Sequence, residues 1–308
     1  MLDNISKHML EEVADIHETP VGAYNFRVNA SSEGRNTTAN IDIVNKTDKP
    51  GIDIRIKPGT KHESVHIPVV ISESGLKETV YNDFYLGEDS DVVIVAGCGI
   101  HNCGDQDSQH DGVHRFFLGK NSKMKYIEKH YGEGTPESTG KRILNPVTEI
   151  YMEDGAVAEL EMVQIKGVDS TKRSTIAKLG KEARLVVRER LMTHGEQYAY
   201  SEYTVEMNGE GSSADVVSRS VAKDKSYQEY KSVIVGNAAC TGHTECDAIM
   251  MDNARIVAIP ELDANDLDAA LIHEAAIGKI AGEQLTKLMT LGLTEAEAEE
   301  QIVSGFLK

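Results

Sequence analysis

Apolar residues fall into three textures along the chain. Over residues 2–17, Leu2, Ile5, Met9, Val13 and Ile16 recur at the spacing of one helical face, and Pro20 closes the pattern. An N-terminal amphipathic helix is predicted, with a capping or packing role. From residue 24 to residue 272 the runs become short and alternating, broken by Gly, Asn, Asp and Lys turns, as strands require. Ile41–Val44, Ile52–Ile56, Val65–Val69, Val92–Val95, Ala158–Met162, Leu185–Val187 and Tyr203–Met207 are the clearest. The period then returns to helical: Ile277, Ile280, Leu285, Leu288 and Met289 share a face that Gly292 ends. Thr294 and Glu297 have capping-box spacing before Ala298, Ile302, Val303 and Phe306, so a second helix completes a hairpin.

Strand-sized pieces recur every 20–25 residues or so, with Ala156, Ala183, Ala214 and Ala254 opening four of them. Such a period indicates a solenoid, in which each coil packs only on its neighbours. A β-sandwich needs tight hairpins, and Asn208-Gly209, the nearest candidate, runs on into Glu210-Gly211. The expected division is an N-terminal helix over 1–22, a β-helical core over 23–274 and a helical end over 275–308.

Composition narrows the function. Trp is absent and Phe numbers 5, so the core must be built from Val, Ile, Leu, Met and Ala. Acidic residues number 50 against 32 basic ones, a formal charge of −18, with no segregated basic patch. That charge repels a phosphate backbone and argues against nucleic acid as partner. No apolar stretch is long enough for a bilayer, and the first residues lack the apolar segment of a signal peptide. The expectation is a cytoplasmic protein without a membrane partner, in which Cys98, Cys103, Cys240 and Cys246 are thiols or metal ligands rather than disulfides.

Three segments look chemical. Gly134–Arg142 imitates a phosphate loop, but five residues rather than four separate its glycines, and Arg142 stands where a magnesium-binding hydroxyl belongs. It reads as an exposed turn, and the chain as no ATPase. Residues 98–114 carry Cys98, His101, Cys103, His110, Asp111 and His114, donors suited to zinc, iron or an Fe–S cluster. A glycine-rich polar turn is the competing reading. The third segment holds Cys240, His243, Glu245, Cys246 and Asp247, with His273-Glu274 a coil later. On a strand over 271–275, His273 and Glu274 face opposite sides, so one points into the solenoid and the other away. Stacked coils let Cys246 approach one of them, and a second subunit would complete a ligand set at a dimer interface. The plain alternative makes Cys246 a small buried hydrophobe.

Residues 246–306 carry a resemblance. His273-Glu274-Ala275-Ala276, Lys279-Ile280 with Glu283-Gln284-Leu285, Leu291-Gly292-Leu293 and Ile302-Val303-Ser304-Gly305-Phe306 follow in the order found in the SufB/SufD family of iron–sulfur cluster assembly scaffolds. The resemblance implies a mainly β fold, a right-handed parallel β-helix flanked by helices. It implies pairing of two such subunits, as a homodimer or with a paralogous subunit, and a separate SufC-like ABC ATPase docked on each C-terminal helical region. Cys246, His273 and Glu274 match the family's assembly residues, and Gln284, Leu285 and Leu288 its ATPase contacts. The cargo is a transient Fe–S cluster, taken as 4Fe–4S, passed to apo acceptor proteins. Cys246 together with Glu274 makes the chain SufB-like, a short member suited to a minimal system. Two other classes compete: a mononuclear metalloenzyme on His101, His110, Asp111 and His114, and a structural adaptor that binds no metal.

Overall fold

The computed structural model describes residues 3–18 and 20–308; Leu2 of the expected helix lies outside the described residues. Helix α1 (Asn4–Ala14) starts at Asp3, whose carboxylate accepts the Ser6 backbone N–H at 2.7 Å and so satisfies a free donor of the first turn. It buries Met9, Leu10 and Val13, while Ile5 is 39% exposed. Two antiparallel pairs follow: β1 (Ala23–Val28) with β2 (Ser31–Asn36), and β3 (Ile41–Asn45) with β4 (Gly51–Ile56). They close the first end of the molecule, where the purely parallel expectation gives way.

All later pairings are parallel. One sheet continues from β1 through β5 (Lys61–Ile71), β7 (Asp91–His101), β9 (Lys123–Glu133), β12 (Val157–Lys166), β14 (Arg184–Thr193), β16 (Ser213–Ala222), β18 (Cys240–Met250) and β20 (Ala269–Gly278). The other continues from β4 through β6 (Lys77–Leu86), β8 (Ser108–Leu118), the broken pair β10 (Arg142–Leu144) and β11 (Val147–Met152), β13 (Ser170–Leu179), β15 (Tyr198–Met207), β17 (Tyr227–Gly236) and β19 (Arg255–Ala264). Successive strands alternate between the sheets, which makes a β-solenoid of about 8 turns. Every strand read from the sequence is part of one of these, each somewhat longer than its apolar signal.

The repeat is longer than the sequence spacing suggested. Val157 pairs with Arg184, Arg184 with Ser213 and Ser213 with Thr241, a coil of about 28 residues. Ala214 is the partner of Leu185, so the residue equivalent to Ala156 and Ala183 is Ser212. Five successive coils turn at a left-handed residue followed by a small buried one: Asp89-Ser90, Asn121-Ser122, Gly155-Ala156, Glu182-Ala183 and Gly211-Ser212. The corners stack, with Asn121 N donating to Asp154 O, Gly155 N to Lys181 O and Glu182 N to Glu210 O. This ladder pairs backbone groups that a turn would otherwise leave to solvent.

Alternation sends one residue in two inward, where Ile94, Phe84, Phe116, Leu160, Val187, Val205 and Ile234 form the core. Like residues stack from coil to coil, Phe84 on Phe116 at 4.5 Å inside, and Tyr85 on Phe117 on Tyr151 at 5.1 and 5.2 Å outside. Helix α1 lies on the outer face of the first sheet, at β5, β7 and β9. Gly97 permits this, because a Cβ there would stand 2.3 Å from the Val13 carbonyl oxygen.

At the other end, Ile277 continues β20 rather than opening a helix: Ala275, Ala276 and Ile277 pair with Cys246, Asp247 and Ala248, and the ladder outweighs the helical pattern. Helix α2 (Gly282–Thr290) follows, then α3 (Glu295–Phe306), which begins with the expected Thr294–Glu297 capping box. Val303 and Leu307 pack on Val221 and Met192, on the outer face of the sheet that α1 covers further back.

Candidate functional site

The last coil leaves the solenoid open. Among the described residues, β19 pairs only with β17 and β20 only with β18, so both end with one edge of backbone groups unpaired. Proteins cover or blunt such edges, and here ten residues in each strand stand bare. On the inner face beside that end, Cys246 lies between Ser218 of β16 and Ala275 of β20, 1% exposed. His273 faces the same way, next to Thr244, and its Nδ1 is buried without a hydrogen-bond partner. Glu274 points to the outer face and is 68% exposed. The structure thus puts Cys246 and His273 on one face and Glu274 on the other, as strand alternation requires.

Burial, with the carboxylates of Glu189 and Asp247 adding to it, pushes the Cys246 thiol up to about 12. In this closed form it is a protonated thiol, and iron binding requires its proton to leave. Burial lowers the His273 imidazole, which keeps it neutral and able to donate a lone pair.

Inward of Cys246 runs a polar row that the sequence reading did not identify. Along the first sheet Glu128 pairs with Met162, Met162 with Glu189, Glu189 with Ser218 and Ser218 with Cys246. Arg173 crosses from the second sheet to ion-pair with Glu128, and its Nε lies 3.5 Å from Glu189. Ser201 and Ser218 each donate to Glu189 at 2.7 Å, and Tyr126 donates to Glu128 at 2.8 Å. All of these side chains are buried, so each charge is held by hydrogen bonds and an opposite charge. Burial would raise the Glu128 carboxyl, but Arg173 and His130 outweigh it and hold it well below its usual value. A signal existed in the sequence: Glu128 and Glu189 occupy the apolar phase of their strands, Met124-x-Tyr126-x-Glu128 and Leu185-x-Val187-x-Glu189.

Cys98 faces inward beside that row: Ala96 is the partner of Glu128, and Cys98, two residues on, is the partner of His130. Burial raises its thiol, yet His110 and His130 beside it bring it down to about 7. Burial alone would lower His110, but Cys98 and Glu78 raise it to about 10, and Glu78 lies 3.0 Å from its Nδ1. The pair has thiolate–imidazolium character inside a closed core. His114, by contrast, is lowered by burial to about 4 and bonds Tyr126 and Asn82.

The proposed mononuclear centre does not assemble. His110 and His114 face inward on β8, while Asp111 faces outward and bonds Gln109 and Asn145. His101 lies on the outer face of the other sheet, against Glu133. Four residues close in sequence are separated because strand alternation and the turn between β7 and β8 aim them differently. Gly134–Lys141 forms the connection between β9 and β10, with Arg142 opening β10.

Outside the solenoid, Glu274 meets His243 and Glu245 of β18, whose donor atoms all lie within 4.8 Å of one another. Asp215 accepts from His243 Nδ1 at 2.8 Å and leaves Nε2 aimed toward Glu274, 3.7 Å away. Nitrogen and carboxylate donors of this kind suit a divalent first-row metal. Helix α2 buries none of its residues: Gln284 is exposed, Leu285 and Leu288 half-buried, Met289 44% exposed and Leu291 beyond it 75% exposed. Among the described residues, no helix is long and apolar enough to cross a membrane.

Comparison with known proteins agrees with this architecture. Residues 82–306 match the SufBD core domain of SUF system FeS cluster assembly. An iron-sulfur cluster assembly SufBD family protein of Methanothermobacter thermautotrophicus is 31% identical over 263 residues, 83% of this chain and 62% of that protein. Proteins of the same description from Archaeoglobus fulgidus and Methanocaldococcus jannaschii are each 30% identical, over 85% and 82% of this chain and 69% and 79% of their own lengths. The chain therefore spans less than two thirds of the first of these relatives and rather more of the others. A stacked two-sheet solenoid, an open end with a buried cysteine beside it, and a family match over most of the sequence lead to one assignment: the chain belongs to the SufBD family of iron–sulfur cluster assembly proteins.

Proposed function

We propose that the chain is a non-enzymatic scaffold on which an Fe–S cluster is built at the open end of the solenoid, with Cys246, His273 and Glu274 as ligands. One observation carries the reading: a thiol and an imidazole nitrogen without a partner share the inner face of β18 and β20, the last two strands of the first sheet, beside unpaired sheet edges. Two protein donors on one face are too few for a cluster, so a second subunit completes the set. A second copy of the chain, or a paralogue, adds strands to β19 and β20 and carries its own donors to the join. Glu274, on the outer face of the edge strand, reaches the cluster at that junction.

Access requires movement, since Cys246 is sealed and its thiol protonated. A partner ABC ATPase docked on α2 through Gln284, Leu285 and Leu288 supplies it, and the half-exposed apolar face of α2 fits such a contact. The cluster is cargo, of 4Fe–4S type, handed on to apo acceptor proteins. Four free cysteines fit a reducing, cytoplasmic setting.

Anaerobic reconstitution with ferrous iron and sulfide tests the reading, with metal and sulfide analysis and absorption spectra. Wild type should bind iron and sulfide in matched amounts, and Cys246→Ala should bind neither. Equal loading of both proteins would remove Cys246 from the site, and loading of neither would leave an adaptor for the ATPase.

A further inference from the structure

The first end of the solenoid holds a cleft that the scaffold reading does not use. It opens between the antiparallel pair β1–β2 and the loop joining β3 to β4, with a volume of about 260 Å³. Its floor is apolar, made of the buried Ile52, Ile67, Val69 and Val80, and Arg27, Arg35, Lys46 and Lys49 bring positive charge to its walls. Two of these cations are committed within the protein: Arg27 holds Glu78 at 2.7 Å, and Lys46 bridges Asp53 and Asp83. Arg35 and Lys49 have no carboxylate partner among the described residues. Arg35 Nε donates to Asn25 Oδ1 at 2.9 Å and Nη2 to Asn45 Oδ1 at 2.6 Å, which fixes the guanidinium on neutral acceptors. Lys49 Nζ stands 4.3 Å from the centre of the Tyr81 ring. In a chain of formal charge −18, two neighbouring cations that no acid neutralises make a local attraction for an anion.

Asn82 adds an independent sign of a ligand. It is 5% exposed, and its Oδ1 is buried without a hydrogen-bond partner, a costly state for a polar atom. The coil behind it orients the amide: Nδ2 donates to His114 Nε2 at 3.3 Å, and His114 Nδ1 donates to the Tyr126 hydroxyl at 2.8 Å, whose own proton goes to Glu128. Oδ1 is therefore the amide atom that Asn82 turns toward the cleft it lines. An acceptor oxygen repels a carboxylate and calls for a donor, which a hydroxyl group on the same ligand supplies. The apolar floor in turn calls for a carbon skeleton, which inorganic phosphate lacks. We infer that the cleft binds a small organic acid with two or three carboxylates and a hydroxyl group. One carboxylate pairs with the Arg35 guanidinium and a second with the Lys49 ammonium, the hydroxyl donates to Asn82 Oδ1, and the carbon chain lies against Ile67 and Val80. The site stands at the opposite end of the solenoid from Cys246 and depends on none of the ligands proposed there.

Titration calorimetry on the full chain tests this with two matched pairs of probes, malate against succinate and citrate against tricarballylate, which differ only by the hydroxyl. At least one hydroxy acid should bind with one site per chain, and its partner without the hydroxyl should bind about tenfold more weakly, the cost of leaving Asn82 Oδ1 unpaired. Inorganic phosphate should not displace it. Lys49→Gln, in an exposed loop, should keep the unfolding midpoint and weaken binding about tenfold, and Arg35→Gln should weaken it at least as much. Failure of both hydroxy acids to bind at millimolar concentration, equal binding within each pair, displacement by phosphate, or unchanged affinity in Lys49→Gln would each overturn the proposal. None of these outcomes touches the scaffold reading, which cluster reconstitution at Cys246 decides separately.

Discussion

Arg173→Met perturbs the polar row at its centre. One guanidinium holds two carboxylates there, Glu128 by direct ion pair and Glu189 at 3.5 Å, with all three side chains 5% exposed or less. A unit-charge pair near 4 Å at an effective dielectric constant of about 20 is worth about 4 kcal/mol. Removing one partner of a buried pair costs about 3–5 kcal/mol, because the other charge stays buried and uncompensated. His130, raised to about 9 and 3.7 Å from Glu128, keeps its proton at pH 7 and offsets part of that loss. Ser201 and Ser218 continue to hold Glu189. The lower end applies, about 3 kcal/mol at pH 7, read from urea unfolding followed by circular dichroism.

The pH dependence adds a sign. In wild type the Glu128 carboxyl is depressed below its ordinary 4.5, so its stabilisation is present above that pH and is lost as pH falls through the folded value. Without Arg173 the folded value rises. The deficit of the variant should then be largest near neutrality and shrink on acidification, as Glu128 takes up a proton that is no longer penalised. Adding Glu128→Met should restore part of the lost stability, since it removes one of the two carboxylates left without their guanidinium, while Glu189 keeps only its two serine donors. A deficit under about 1 kcal/mol, flat between pH 5 and 7, would refute the claim that these charges depend on one another.

Gly97→Val places a side chain where the Val13 carbonyl now lies, and should loosen α1 at a cost of about 1–3 kcal/mol, seen as lost hydrogen-exchange protection in residues 4–14 with the strands unaffected. If α2 is the docking site proposed above, Leu285→Asp with Leu288→Asp should abolish binding of an ABC ATPase of the proposed kind in calorimetry while changing the unfolding midpoint little, because α2 buries nothing against the solenoid. In native protein, iodoacetamide should label Cys103 first; Cys98, although lowered to about 7, and Cys246, raised to about 12, should react only when sub-denaturing urea opens the coils, as followed by mass spectrometry.

Strand alternation was readable because it follows from backbone geometry alone: Ile52–Ile56 and Tyr203–Met207 are strands in any fold that buries one of their faces. The capping box of α3 was readable for the same reason, its partners being three residues apart. The coil length was harder, because the repeating feature is a corner conformation filled by Asp, Asn, Gly or Glu, and the small residue after it is Ala in some coils and Ser in others. Ile277 was misplaced because its apolar spacing suits a helix equally well, and only the free ladder of β18 decides that it extends a strand.

The sequence by itself determined the texture of the fold, the opposite facing of His273 and Glu274, and, through its ordered C-terminal motifs, the family. Tertiary structure alone decided which residues meet. It separated His101, His110, Asp111 and His114 to different faces, and joined Glu128, Arg173 and Glu189 across two sheets from positions 128 to 189. It placed Glu133 beside His101 although the two are 32 positions apart in the chain. The physical reason is that a strand fixes only the face on which a side chain stands, a local property. Its neighbours come from coils before and after, and their register is set by corners and packing along the whole solenoid.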